Sequence, residues 1–185
     1  MKSRLLLPLL IVLLAACQGE SPTGANGVVY KSAVQYNDYI VSRQTTLMKN
    51  ILVFVEVAQS DLDSAEKMLD QYVKETGDII KDIKGMPAYK GDTALRNAAA
   101  NTFGFYRKLF DQEYRSILHL RNGENAQSSD VETQIEAIVK SIEEEEKGYD
   151  ERFQEAQKAF ALKNKMKLIE NEMQKKFEEK TSTEK

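Results

Sequence analysis

Residues 61–84 read DLDSAEKMLDQYVKETGDIIKDIK, a stretch in which apolar side chains return at about every third or fourth position. This spacing is the period of an α-helix with one apolar face, whereas a half-buried strand would alternate apolar and polar residues. The stretch therefore predicts an amphipathic helix that packs its apolar face against a core. The positions on that face are Leu62, Ala65, Leu69, Tyr72, Thr76, Ile80 and Ile83.

The same helical period extends to both sides of this stretch. The prolines of the chain are Pro8, Pro22 and Pro87, so none interrupts residues 28–86 or 88–185, which are rich in helix-favouring residues. The sequence therefore predicts an all-α fold. The apolar stripes of the other helices are Val34, Val41, Met48, Ile51, Val55 and Ala58 in the first, Leu95, Ala99, Thr102, Tyr106, Phe110, Ile117 and Leu120 in the third, and Val131, Ile135, Ile138, Ile142, Tyr149, Phe153, Ala156 and Phe160 in the fourth.

Two breaks between helices are marked by residues that end and begin helices. Residues 84–92 contain two glycines and Pro87, and Asp92 is a favourable N-cap for the next helix. Farther along the chain, Gly123 is a favourable C-cap, and Ser128–Asp130 offer N-cap side chains. These signals predict that one helix ends near residue 84 and the next near residue 122.

A third break is predicted at Gln59–Asp61, because Ser and Asp are N-cap residues, although the apolar stripe passes through them in phase. The alternative is one helix over residues 29–84, about 80 Å long, with much of its stripe unpartnered. A turn is favoured because it yields helices of comparable length. The sequence therefore predicts an antiparallel up-down four-helix bundle with a long C-terminal helix. Its helices are expected at residues 29–58, 61–84, 92–122 and 129–163 or beyond.

The bundle domain is predicted over residues 28–180. After Phe160 the apolar pattern thins among many Lys and Glu, so the last helix is expected to run past the others into solvent. Apolar residues this sparse favour a solvated tail over a coiled-coil contact, which is the alternative. Residues 181–185 are expected to be disordered.

The first residues of the chain have the pattern of a secretory signal. Lys2 and Arg4 are followed by an apolar run from Leu5 to Leu14, and small residues precede Cys17. A membrane-spanning helix needs about 20 apolar residues, and this run is shorter. An uncleaved membrane anchor is therefore the less favoured alternative to a removed leader.

The segment Leu14-Ala15-Ala16-Cys17 resembles the lipobox of bacterial lipoproteins. The resemblance implies a signal peptide over residues 1–16 and attachment of lipid to Cys17. Through this lipid the protein would bind the membrane. Two or three acyl chains would anchor the protein stably, whereas one holds only marginally. Gln18 differs from the Asp that retains such proteins in the inner membrane, so the resemblance implies the outer membrane; whether the domain faces the periplasm or the cell surface stays open. Residues 17–27 are expected to form a flexible tether.

Composition excludes several classes of function. The 185 residues include one Cys and one His, so the chain can form neither an internal disulfide nor a multi-histidine or Cys-based metal centre. No catalytic motif, metal site or cofactor is predicted. Loss of Lys2 and Arg4 with the leader would change the formal net charge from -3 to -5. This balance and the exported location argue against nucleic acid as a partner.

Tyrosines and carboxylates are the remaining candidates for a site. Tyr36 and Asn37 lie near the start of the first helix, whereas Tyr106, Glu113 and Tyr114 lie on the third. One interpretation is that the polar groups pair with one another and with tyrosine hydroxyls and so fix the helix register, because unpaired polar groups in a core cost several kcal/mol. The other is a small polar pocket at one end of the bundle, formed by these five residues. The first is favoured.

The lipobox, the tether, the Tyr36–Tyr39 opening of the first helix and the aromatic pattern of residues 103–114 together resemble small helical surface lipoproteins without an assigned activity. Two function hypotheses follow. The favoured one is a non-enzymatic, lipid-anchored binding or structural module for a protein partner in the envelope or outside the cell. The alternative is a small-ligand binder or enzyme that uses Tyr and carboxylate groups of the bundle core.

Overall fold

A computed structural model describes residues 23–169 of the protein. The signal peptide, Cys17, the first part of the tether and the C-terminal tail predicted from the sequence lie outside these described residues. The elements in chain order are α1 (Ala33–Ala58), α2 (Leu62–Lys84), α3 (Ala94–Lys108), a π-helical segment (Leu109–Glu113), α4 (Tyr114–Asn122) and α5 (Ser129–Lys163).

The described residues form an all-α domain of four helices, as predicted. The π-helical segment joins α3 to α4 without interruption, so these three elements make one helix that corresponds to the predicted third helix. The last helix, α5, is the longest at 35 residues. Within residues 23–169, no helix combines the length and the apolar composition that crossing a bilayer requires.

Side-chain caps explain where the helices begin. The Asp61 carboxylate accepts a hydrogen bond from the Ser64 backbone N–H at 2.9 Å, which ends the ambiguity at residues 59–61 in favour of two helices. Ser128 caps α5 in the same way through the Val131 N–H. Asp92, predicted as an N-cap, accepts from the Ala94 N–H instead, and Thr93 takes the cap position.

Side-chain contacts show how neighbouring helices are aligned. The start of one helix lies beside the end of the helix it contacts. The rings of Tyr36, Tyr89 and Phe160 meet at the end where α1 begins and α5 ends. The pairs that define this register are Tyr39–Asp82 and Asn50–Glu75 between α1 and α2, Asp70–Arg115 between α2 and α4, and Lys108–Glu145 and Asp92–Lys163 on the α3–α5 side.

The middle of the core is aromatic. Phe110, in the π-helical segment, lies 5.2 Å from Tyr72 of α2 and 6.4 Å from Phe54 of α1, measured between ring centroids. Tyr114 stacks on Phe54 at 4.8 Å. The third helix therefore connects α1 and α2 through this cluster, while its opposite face packs against α5 through residues such as Phe153.

Residues 23–29 fold onto the end of α2. The Asn26 backbone N–H donates to the Gly85 carbonyl at 3.2 Å, and the Gly24 N–H donates to the Val28 carbonyl at 3.1 Å. A Cβ at Gly24 would lie 2.5 Å from the Gly85 carbonyl oxygen, so only glycine permits this approach. Residues 23–27, assigned to the tether from sequence, therefore belong to the folded domain.

The last helix ends at the nearer of the two predicted limits. It stops at Lys163, Asn164 follows as the C-cap, and Lys165 has a positive φ of 53°. Met166 turns back and packs against the core. The prediction that the helix runs past the others is therefore wrong for residues 164–169, because burial of Met166 and the left-handed residue before it redirect the chain.

The helix ends and the loops that join them gather at two opposite ends of the domain. The chain-entry end contains the start of α1, the end of α2, residues 85–93, the start of α3 and the end of α5. The far end contains the turn at residues 59–61 and the loop at residues 123–128. Arg121 links the α1–α2 turn to α4 at the far end by donating to the Ala58 carbonyl at 3.1 Å.

Candidate functional site

Two half-buried carboxylates of α5 lie close to tyrosines of the third helix. Glu146 and Asp150 are four residues apart, which places them on one face of α5. The Tyr106 hydroxyl donates to Asp150 Oδ1 over a long distance of 3.5 Å. Tyr114 lies eight residues after Tyr106 on the third helix and within the electrostatic reach of Glu146. These four residues are called the carboxylate–tyrosine cluster.

Burial governs the protonation of this cluster. Burial, together with the neighbouring Asp150 and Glu143 carboxylates, raises the pKa of Glu146 to about 7. Burial also raises the pKa of the Tyr106 and Tyr114 hydroxyls above their ordinary value, so both phenols stay neutral. The cluster can therefore hold one additional proton near neutral pH.

Glu113 lies at the edge of this cluster and is paired with a lysine. Lys108 Nζ lies 3.4 Å from Glu113 Oε1 and 3.0 Å from Glu145 Oε1. The hydrogen bond to Glu145 is the main cause that raises the pKa of Lys108. Lys108 therefore holds one carboxylate from the π-helical segment and one from α5 together.

Tyr36 and Asn37 lie elsewhere, at the chain-entry end. The Tyr36 hydroxyl donates to the Pro87 carbonyl at 2.9 Å, and Gln157 Nε2 donates to Asn37 Oδ1 at 2.8 Å. The structure therefore brings together Tyr106, Glu113 and Tyr114 but does not bring Tyr36 and Asn37 to them. Asn37 pairs with Gln157 and Glu113 with Lys108, so these predicted polar groups have partners other than one another.

Asp150 and Gln157 are the partners that the sequence analysis did not identify. Both lie on α5, and each pairs with a residue more than 40 positions earlier in the chain. The four-residue spacing of Glu146 and Asp150 was a signal that the two carboxylates share a face. Nothing local in the sequence indicates that this face meets Tyr106.

An open groove of about 490 Å³ lies between α2, α3 and α5. Its aromatic wall is Phe105 stacked on Tyr149, with ring centroids 4.9 Å apart. Lys84 and Arg107 border the groove, and neither has a carboxylate partner among the described residues. The remaining lining residues are Ile80, Ala100, Asn101, Gly104 and Lys108.

The residues of the described domain offer little for metal chemistry. Across residues 23–169, no three His, Cys, Asp or Glu side chains are grouped so that they could hold a metal ion. His119 lies in the last turn of α4, exposed, with its Nε2 atom 3.4 Å from Glu66 Oε1. The carboxylate–tyrosine cluster is thus suited to binding a proton and to holding α3 against α5.

Replacing Glu146 by Gln is expected to change how stability depends on pH. The folded-state pKa of about 7 exceeds the ordinary value of 4.5, so this carboxyl binds more protons in the folded than in the unfolded state. Its contribution to the free energy of unfolding is present below pH 4.5 and is lost as pH rises through 7. At pH 8 we expect Glu146→Gln to be more stable than the wild type by about 1 to 2 kcal/mol.

Urea unfolding at pH 5, 6.5 and 8 measures this effect. Glu144 is exposed on the same helix, so Glu144→Gln serves as the matched control and should follow the wild type at every pH. If Glu146→Gln and Glu144→Gln shift the unfolding midpoint equally at pH 8, Glu146 does not hold the additional proton.

Comparisons with known proteins give this chain no relatives from which to take a function. No family model, no curated protein and no solved structure matches the chain.

Proposed function

We propose that the chain is a lipid-anchored protein of the cell envelope that binds a protein partner and catalyses no reaction. The lipobox-like segment ending at Cys17 supports the anchor, and Gln18 after it supports the outer membrane. The observation that carries the binding role is the surface of the first half of α5, residues 129–146.

This surface combines apolar side chains with carboxylates. Val139 is 42% exposed, and Ile135, one helical turn before it, is half-buried. Ile135 and Ile138 lie outside the hydrophobic core of the domain. Residues 129–146 carry seven Asp and Glu against one Lys. Glu145 pairs with Lys108 and Glu146 belongs to the carboxylate–tyrosine cluster, whereas the other five carboxylates are exposed. An apolar centre with a polar rim is the usual anatomy of a protein interface.

The charge of the surface defines the chemistry of the partner. Exposed carboxylates attract a basic protein surface and repel an acidic one, which speeds encounter and selects the partner. The side chains of Ile135 and Val139 would be buried against apolar side chains of that partner surface. The partner we propose is therefore a protein with a basic face surrounding an apolar contact.

The alternative hypothesis, a small ligand in the bundle core, has less support. Tyr106 donates to Asp150, and Lys108 pairs with both Glu113 and Glu145. A ligand at the carboxylate–tyrosine cluster would have to displace these contacts between α5 and the third helix. The polar groups there are already used to join the helices.

A photo-crosslinking amino acid at position 139 is expected to form a crosslink to the partner in living cells. Val53, on α1, is the matched control, because it is 46% exposed and also lies toward the far end. We expect the yield at position 139 to exceed that at position 53 at least about fivefold, since contact requires the α5 surface. Immunoblotting and mass spectrometry of the crosslinked product measure the yield and identify the partner.

Charge removal then tests the proposed chemistry. Glu132→Gln combined with Glu136→Gln keeps both side chains of similar size but removes two charges from the rim, and it should reduce the crosslink. Equal yields at positions 139 and 53, or a crosslinked partner whose surface is acidic, would contradict the proposal. Protease digestion of intact and lysed cells decides on which side of the membrane the partner is to be sought.

A further inference from the structure

Basic and acidic residues are separated along the long axis of the domain. Gly77 of α2 faces the Arg107 side chain of α3, and we divide the domain into two halves at this level. The chain-entry half, residues 23–46, 77–107 and 147–169, has 13 Lys and Arg against 7 Asp and Glu. The far half, residues 47–76 and 108–146, has 7 Lys and Arg against 16 Asp and Glu. A chain of negative net charge therefore has one basic end.

Exposed apolar side chains accompany the basic residues at this end. Leu162 is 84% exposed and Ile169 is 88% exposed, whereas Met166 between them packs against the core. Lys163, Lys165 and Lys167 alternate through the same segment. Val29 and Val34, near the start of α1, are also exposed. Exposed apolar side chains among lysines are typical of segments that lie at a membrane surface.

Three lysines at the chain-entry end are available for a ligand. Lys163 pairs with Asp92 at 2.8 Å, but Lys84, Lys165 and Lys167 have no carboxylate partner among residues 23–169. All three are exposed. Unpaired lysines at one end of the domain attract an extended anionic surface more strongly than an isolated anion.

The proposed lipid anchor would bring the chain-entry end close to the membrane. Asn26 is bonded to Gly85, so the chain leaves the domain at this end. Thr23 is six residues from Cys17, and six fully extended residues span at most about 20 Å. The basic end would therefore lie close to the lipid headgroups.

We propose that the chain-entry end of the domain docks on an anionic lipid surface. In this arrangement Lys84, Lys165 and Lys167 contact the phosphate groups, and Leu162 and Ile169 enter the interfacial layer. This inference rests on the proposed anchoring at Cys17, which brings the basic end to the membrane. Docking would direct the acidic far end, with the α5 surface, away from the membrane and toward the protein partner.

Vesicle sedimentation tests the docking separately from lipid attachment. The chain from residue 17 to residue 185, with Cys17→Ser so that no acyl chain contributes, is mixed with vesicles of phosphatidylglycerol and phosphatidylcholine or of phosphatidylcholine alone. We expect binding to the anionic vesicles to be at least about tenfold stronger and to weaken as salt rises from 50 to 300 mM, roughly as screening requires.

Two matched triple variants locate the binding surface. Lys84→Glu, Lys165→Glu and Lys167→Glu together should weaken binding to anionic vesicles at least about tenfold, because each lysine near such a surface contributes about fivefold. Lys49→Glu, Lys67→Glu and Lys140→Glu change the net charge equally but lie in the far half, so this variant should bind at least threefold better than the first. Circular dichroism confirms that both variants remain helical.

The outcomes separate docking from anchoring. Equal binding to neutral and anionic vesicles, or equal loss in the two triple variants, would overturn the docking proposal. The anchoring proposal is judged from the fatty-acid label on Cys17 in cells, and its failure leaves the vesicle result unchanged.

Discussion

Replacing Cys17 by Ser is expected to eliminate fatty-acid labelling of the protein in cells. Cys17 is the sole thiol of the chain and ends the lipobox-like segment, and a serine hydroxyl lacks the nucleophilicity of a thiolate. Each buried methylene of an acyl chain contributes about 0.8 kcal/mol to membrane binding, so losing two or three chains removes stable anchoring. Labelling with radioactive palmitate followed by immunoprecipitation measures the change, which we expect to be at least about twentyfold.

A displaced thiol provides the control for this experiment. Cys17→Ser combined with Ser21→Cys retains one thiol but moves it four residues away from the Leu-Ala-Ala segment. If the segment directs lipid attachment, this double variant should also lack the label. Label that persists in Cys17→Ser, or that returns with the thiol at position 21, would show that lipid attachment does not follow the lipobox-like segment.

Replacing Phe110 by Ala is expected to cause the largest loss of stability among single substitutions in the described core. Phe110 is 0% exposed and contacts Phe54, Tyr72 and Tyr114, so its removal leaves a cavity where α1, α2 and the third helix meet. Truncation of a buried Phe costs about 3 to 5 kcal/mol, a large part of the 5 to 15 kcal/mol that stabilises a typical domain. The melting temperature should fall by about 10 °C.

Urea unfolding followed by circular dichroism measures this loss, with Val53→Ala as the control. Val53 lies on α1 and is 46% exposed, so its truncation should change the free energy of unfolding by less than about 0.5 kcal/mol. A loss below about 1 kcal/mol for Phe110→Ala would mean that the helices do not meet at this aromatic cluster.

The helices could be predicted because their signals are local. Ser60 and Asp61 are cap residues, although the apolar stripe passes through them in phase. Asp61 forms the cap by accepting a hydrogen bond from the Ser64 backbone N–H. The π-helical segment at Leu109–Glu113 had no such signal, because its composition is compatible with an ordinary α-helix. Its position follows from packing Phe110 and Tyr114 against the same ring of Phe54.

The residue types of the candidate site could be predicted from the sequence, but their positions in the fold could not. Polar residues in phase with apolar stripes indicated that tyrosines and carboxylates would meet in the core, and Tyr106 does meet Asp150. Periodicity assigns a residue to a helix face without giving its height along a neighbouring helix. Tyr36 and Tyr106 therefore both qualified for one pocket, although the first lies at the chain-entry end and the second faces the middle of α5.

The all-α class and the breaks between helices follow from spacing and caps, since helical periodicity and N-cap hydrogen bonds involve residues a few positions apart. The charge separation between the two ends does not follow from any one helix. It arises because the basic end of α5 packs at the chain-entry end, where Lys163 pairs with Asp92, while its acidic start lies at the turn-bearing far end. The contacts that set this arrangement join residues far apart in the chain, and their energies depend on how the helices pack as a whole.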